Sequence, residues 1–200
     1  WRFYGFLMFL KIICIFIILQ KESFGGIELF PKEWFPTVEE FKQLSIKKQQ
    51  NYLSSTTCGD GAEEYEEMAR GYATYLNEKY LGRSEFNNID DDEWRLIITL
   101  VRANACLDLY LIACKLINMI VDYLPAKYMW AFKDFLICCE VRFWENDPGY
   151  SEEEKEIGRR LMLENYKKMI ERAERENYEG KNYLKFAYGG YLYDNKETAR

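Results

Sequence analysis

Five cysteines and a run of acidic residues are the side chains in this 200-residue sequence whose types and spacing could do chemistry. Cys106 and Cys114 flank a tyrosine symmetrically in CLDLYLIAC, giving Cys106-x3-Tyr110-x3-Cys114. Cys58, Cys138 and Cys139 lie elsewhere, and a sixth cysteine, Cys14, belongs to an N-terminal segment of different composition. Thiols can ligate zinc, act as nucleophiles or pair as disulfides. No Cys-x2-Cys spacing is present to favour zinc, so disulfides are the expected use.

The acidic run NNIDDDE lacks the spacing and the glycine of a calcium loop, and Asp90 with its neighbours reads instead as the cap of a helix. The chain has no histidine. That removes Ser-His-Asp and Cys-His catalysis, His-Glu-x-x-His metalloprotease chemistry, histidine-ligated haem and the Glu-x-x-His di-iron bundle. Phosphate-binding Gly-x-x-x-x-Gly-Lys-Ser/Thr and Gly-x-Gly-x-x-Gly are missing as well. A glycosidase needs only two carboxylates, but no pair stands out among many surface acids. The expectation is a protein without enzymatic activity, cofactor or bound metal.

Residues 1–25 read as a signal peptide. Arg2 and Lys11 supply positive charge, Ile12 to Leu19 is apolar, and Ser23-Phe24-Gly25 offers small residues at a cleavage site near Gly25. The apolar stretch from Phe6 to Leu19, about 14 residues broken by Lys11, is short of the roughly 20 that span a bilayer. Removing Arg2, Lys11, Lys21 and Glu22 from 27 basic and 33 acidic residues leaves 24 and 32, a net charge of −8. Such a surface argues against nucleic acid and against anionic membranes after signal cleavage. No Asn-x-Ser/Thr sequon occurs. The sequence therefore predicts a secreted, extracellular protein with residues 26–200 as a helical domain, or as two small lobes over 26–88 and 89–200.

The elements that would position the cysteines are helices. Residues 26–36, with two prolines, read as an extended lead-in. Thr37-x-x-Glu40 is a capping box opening a helix with Phe41, Leu44 and Tyr52 inward, ending near Cys58. Asp60 and Glu63 open a second, with Tyr65, Met68, Ala69, Tyr72, Leu76 and Tyr80 inward until Gly82. Asp90 caps a third, from Trp94 to about Tyr123, apolar on nearly every face and hence central. Pro125 begins a fourth, carrying Met129, Trp130, Phe135, Leu136, Cys139 and Phe143. Ser151-x-x-Glu154 caps a fifth, with Ile157, Leu161, Met169, Ile170 and Ala173 inward until Gly180. The Tyr/Gly-rich C-terminal tail suggests a short hairpin or a packed tail. The fold expected is all-α: a disulfide-stabilised bundle of about five helices.

On one continuous helix, residues 106, 110 and 114 would lie at 0°, about 40° and about 80°, a single stripe. The two sulfurs would still be separated by about 12 Å of rise, beyond the roughly 7 Å that a disulfide permits between Cα atoms. Each would then staple the helix to a different neighbour. Cys114 is expected to reach Cys138 or Cys139 across a hairpin about Pro125, and Cys106 to reach Cys58.

A secreted helical chain with this Cys106, Tyr110, Cys114 stripe resembles the bicycle proteins, effectors of gall-forming aphids named for paired Cys-Tyr-Cys motifs. Here the second motif is degenerate, with Ala131-x3-Phe135-x3-Cys139 keeping only the spacing. The resemblance implies an all-helical salivary protein delivered into plant tissue, without catalytic machinery. The signal segment, the missing histidine and the tyrosine-rich helix faces lead to the expectation that the protein acts by binding a host or partner protein. The alternative is a secreted carrier of a small apolar ligand, in a cavity lined by Tyr72, Trp94, Leu109 and Trp130.

Overall fold

The computed structural model describes residues 32–57, 62–129, 131, 149–178, 181–182, 185 and 188–189. The chain divides between Phe35 and Pro36; of the first unit only a 3₁₀ turn, Lys32–Trp34, and Phe35 are described. Among the described residues the second unit holds six α-helices and no strand: α1 Val38–Lys42, α2 Ile46–Thr57, α3 Ala62–Leu81, α4 Asp91–Cys106, α5 Tyr110–Ile120 and α6 Glu152–Arg175. The all-α class is as expected. There are more helices than expected because the anticipated first and third helices are each broken in two. Most of the anticipated fourth helix, with Trp130, Phe135, Leu136, Cys138, Cys139 and Phe143, lies outside the described residues. Its start is a 3₁₀ turn after Pro125, Ala126–Tyr128, with Met129 buried behind it.

Local chemistry explains the helix starts. The Thr37 hydroxyl accepts the Glu40 N–H at 3.3 Å while the Glu40 carboxylate accepts the Thr37 N–H at 2.8 Å. Ser151 and Glu154 repeat the box at α6, at 3.2 and 2.9 Å. The Asp90 carboxylate accepts the Glu93 N–H at 2.8 Å, so the acidic run is a helix cap. Asp90→Ala is expected to lower stability by about 1 kcal/mol, seen as a drop in the urea midpoint at unchanged slope.

The first unexpected break falls between α1 and α2, over residues 43–45. The Phe41 carbonyl near the end of α1 is taken by the side-chain amide of Gln49, at 3.0 Å, and Gln49 is buried. That carbonyl also accepts the Leu44 N–H at 3.1 Å, so a tightened last turn and a polar side chain from the next helix together replace the bond that a continuous helix would make. At the other end of α2, the Thr57 hydroxyl donates to the Leu53 carbonyl at 2.8 Å.

α3 buries the stripe read from the sequence, with Tyr65, Ala69, Tyr72, Leu76 and Tyr80 in the core and Met68 at its edge. α1 lies across it at Gly71, where an added Cβ would stand 2.7 Å from Val38 Cγ2, so the close approach depends on that glycine. α4 is central, burying Trp94, Leu96, Ile97, Ile98, Leu100, Val101 and Ala103. It packs on α2, α3 and α5, and α5 packs in turn on α3 and α6. These pairings cross the loop around residue 88, so helices on both sides of it share one core.

α6 reaches α5 through polar pins as well as apolar contact. Asn165 Nδ2 donates to the Cys114 carbonyl at 3.0 Å, Lys168 Nζ to the Asn118 carbonyl at 3.4 Å, and Arg172 Nη1 to the Val121 carbonyl at 2.6 Å. The buried face runs through Gly158, Met162, Asn165, Tyr166, Met169 and Ala173. Ile157, Leu161 and Ile170, expected inward, are half-buried at its margins. The helix stops at Asn177, which takes a left-handed φ of 50° while Tyr178 N–H returns to the Ala173 carbonyl at 2.8 Å. Expectation had placed the stop at Gly180, which is outside the described residues, as is most of the C-terminal tail.

Candidate functional site

The cysteine motif is assembled differently from the single stripe expected. Cys106 is the last residue of α4 and is exposed, whereas Cys114 lies inside α5 and is fully buried. Tyr110 begins α5 and is buried. The continuous helix from Trp94 to Tyr123 is interrupted at Leu107–Leu109, so the 0°, 40°, 80° geometry does not apply across it.

The interruption has identifiable causes. Asp108 adopts a φ of 59°, its N–H returns to the Ala105 carbonyl at 3.1 Å, and the Leu109 N–H returns to the Asn104 carbonyl at 2.7 Å. This is a Schellman stop with aspartate where glycine is commoner; Asp tolerates the left-handed region better than most residues. Tyr150, just before the α6 cap, completes it. Its hydroxyl accepts the Tyr110 N–H at 3.0 Å and donates to the Asp108 carbonyl. Asn104 is fixed from the other side by reciprocal amide bonds with Asn77, both at 2.8 Å and both buried.

Sequence reasoning passed over Asn77, Asn104 and Tyr150. The two asparagines carried a usable signal, because each sits at helical spacing within an apolar stripe: Asn77 three residues before Tyr80, and Asn104 four after Leu100. A polar amide on a buried face demands a partner. Asp108 is likewise the lone charged residue in CLDLYLIAC. Of the remaining candidate cysteines, Cys58, Cys138 and Cys139 fall outside the described residues, so the expected bridges from Cys106 and Cys114 fall there too.

The carboxylates are tied into the scaffold. The Asp91 carboxylate accepts from Lys127 Nζ, from the Tyr128 hydroxyl at 2.7 Å and from Arg95 Nε at 3.1 Å. The Lys127 bond above all, then that of Tyr128, holds Asp91 well below the usual carboxylate range. Glu93 Oε1 accepts the Tyr80 hydroxyl at 3.2 Å and Arg83 Nη1 at 3.1 Å. Burial first, then the Glu93 charge, pushes the Tyr80 phenol far above its ordinary range. Glu40 and Glu154 are lowered by the N–H groups that they cap. Among the described residues no group of three or more acidic or cysteine side chains is arranged to hold a metal ion.

Of the residues suggested to line a carrier cavity, Tyr72 and Trp94 are core residues. Tyr72 lies flat on Phe41, with ring centroids 4.0 Å apart and planes at 7°. Trp94 is buried, Leu109 is half-buried, and Trp130 lies outside the described residues. No described helix is long and apolar enough to cross a membrane. Comparison with protein families, characterised proteins and solved structures finds no match to this chain.

Proposed function

We propose that this chain is a secreted, disulfide-stabilised helical protein that binds a host protein as an effector, without catalysis. The observation that carries this reading is how its polar groups are used. The Asp90, Asp91 and Glu93 carboxylates, the Asn77 and Asn104 amides and the Tyr72 and Tyr150 hydroxyls all hold backbone or side-chain partners within the fold. Such groups build a scaffold and leave little with which to accelerate a reaction. The composition of residues 1–25 and the lack of histidine support the same reading. So does the resemblance of Cys106, Tyr110 and Cys114 to the aphid effector motif.

The broken helix changes what the proposed bridges would do. With Cys106 ending α4 and Cys114 inside α5, a bridge from each would brace the joint between two helices, each adding about 2–4 kcal/mol. The test is expression through a secretory host, followed by non-reducing peptide mapping and reciprocal capture of a host protein. Cleavage near Gly25, a Cys106–Cys58 linkage and capture in both directions are the expected results. Fully reduced cysteines in the exported chain, or failure of reciprocal capture from the relevant tissue, would remove the disulfide or the binding element respectively.

A further inference from the structure

We propose that the Leu107–Leu109 break is a two-position joint. With the Tyr150 hydroxyl in place it holds α4 and α5 as separate helices; with the hydroxyl withdrawn, residues 107–109 close into one helix running from Asp91 to Ile120. The inference rests on what the hydroxyl bonds to. In a continuous α-helix the Tyr110 N–H would donate to the Cys106 carbonyl, and the Asp108 carbonyl would accept from the Ile112 N–H. Those two main-chain groups, Tyr110 N–H and Asp108 C=O, are the ones that Tyr150 occupies. One side chain from another segment thus replaces two bonds that the helix would otherwise make itself.

The sequence across the break favours closure. Residues 91–120 contain neither glycine nor proline, and Leu107, Leu109, Tyr110 and Leu111 suit a helix interior. Closing the helix would reset the left-handed Asp108 together with Leu109, at φ −93° and ψ 46°, and Leu107, at φ −94° and ψ 12°. Each side of the joint has its own polar pins, although α4 and α5 both also pack on α3. Asn104 is locked to Asn77 of α3 on the α4 side, while α5 is pinned to α6 through Asn165, Lys168 and Arg172. Tyr150 leads directly into α6, so displacing α6 would withdraw the hydroxyl and release the joint in the same movement. Closure would also bring Cys106, Tyr110 and Cys114 onto one helical stripe, a geometry the broken form lacks.

Nuclear magnetic resonance on the full chain, labelled with ¹³C and ¹⁵N, tests this. In Tyr150→Phe, relaxation dispersion at residues 107–110 should reveal a minor state with helical Asp108 shifts, populated about tenfold more than in the wild type. Tyr150→Phe combined with Asp108→Ala should make that state dominant, with Cys106 Hα to Tyr110 H–N contacts across the former break. Tyr150→Phe combined with Asp108→Gly should return the broken form, because glycine favours the left-handed stop. Loss of the slowly exchanging Asn77 and Asn104 side-chain amides would report unfolding. The proposal fails if Tyr150→Phe/Asp108→Ala stays broken, or if Tyr150→Phe unfolds and Asp108→Gly does not rescue it, since the hydroxyl would then be a structural staple alone.

Discussion

Asn104→Ala is expected to cost roughly 3 kcal/mol of stability, read from urea denaturation at neutral pH. The two amides of Asn77 and Asn104 satisfy one another at 2.8 Å in each direction, and Asn104 is fully shielded from solvent. Truncating one leaves the other with a donor and an acceptor buried and unpaired, which costs about 1–3 kcal/mol before any cavity is counted. Asn77→Ala should cost nearly as much for the same reason. Removing both should cost clearly less than the sum, with a coupling of about 1–2 kcal/mol. Replacing both by leucine should recover much of the loss, since two apolar side chains leave no orphaned amide. Strict additivity in this cycle would show that the pair contributes as two independent side chains.

The location of that pair shows why parts of this fold are legible and others are not. Thr37 with Glu40, Ser151 with Glu154, and Asp90 all act on backbone groups within three residues, so their types and spacing announce the helix starts. The two helix breaks answer to distant partners. Gln49 takes the Phe41 carbonyl from eight residues away, and Tyr150 closes the α4–α5 joint from about 40 residues away. Nothing at residues 43–45 or 107–109 supplies the glycine or proline that marks a stop; at the second break Asp108 takes the left-handed conformation instead, as Asn177 does at the end of α6. On α6 the apolar pattern pointed to Ile157 and Leu161. The face that packs is centred on Gly158, Met162 and Asn165, the last of which donates to the Cys114 carbonyl across the contact.

The motif itself was legible as residue types but not as geometry. Cys106, Tyr110 and Cys114 form a stripe only if the helix runs through them, and the break at Leu107–Leu109, where Tyr150 bonds the Tyr110 N–H, interrupts it. The broken backbone therefore gives the two thiols different surroundings. One stands at an exposed helix end and the other in a core, where burial rather than spacing sets its access to reagents.

The largest single loss is expected at Tyr72. Tyr72→Ala should cost about 4 kcal/mol, because the ring is wholly buried, stacked on Phe41 at 4.0 Å, and its hydroxyl donates to the Pro36 carbonyl. Tyr72→Phe keeps the ring and should cost about 1 kcal/mol, the net worth of the hydroxyl's bond. The two variants part further with pH. Burial, ahead of the neighbouring Tyr52 and Glu40, pushes the Tyr72 phenol from 10.0 up to about 12. A group whose folded value is raised stabilises the fold while both states are protonated, and that contribution disappears as pH climbs from 10.0 through about 12. Wild-type stability should therefore fall across this window by about 2 kcal/mol on account of Tyr72, with Tyr80 adding a loss of the same sign. Tyr72→Phe cannot ionise, so its urea midpoint should decline less steeply with pH than that of the wild type. Parallel declines in the two proteins would mean that the Tyr72 phenol ionises as readily in the folded chain as in the unfolded one.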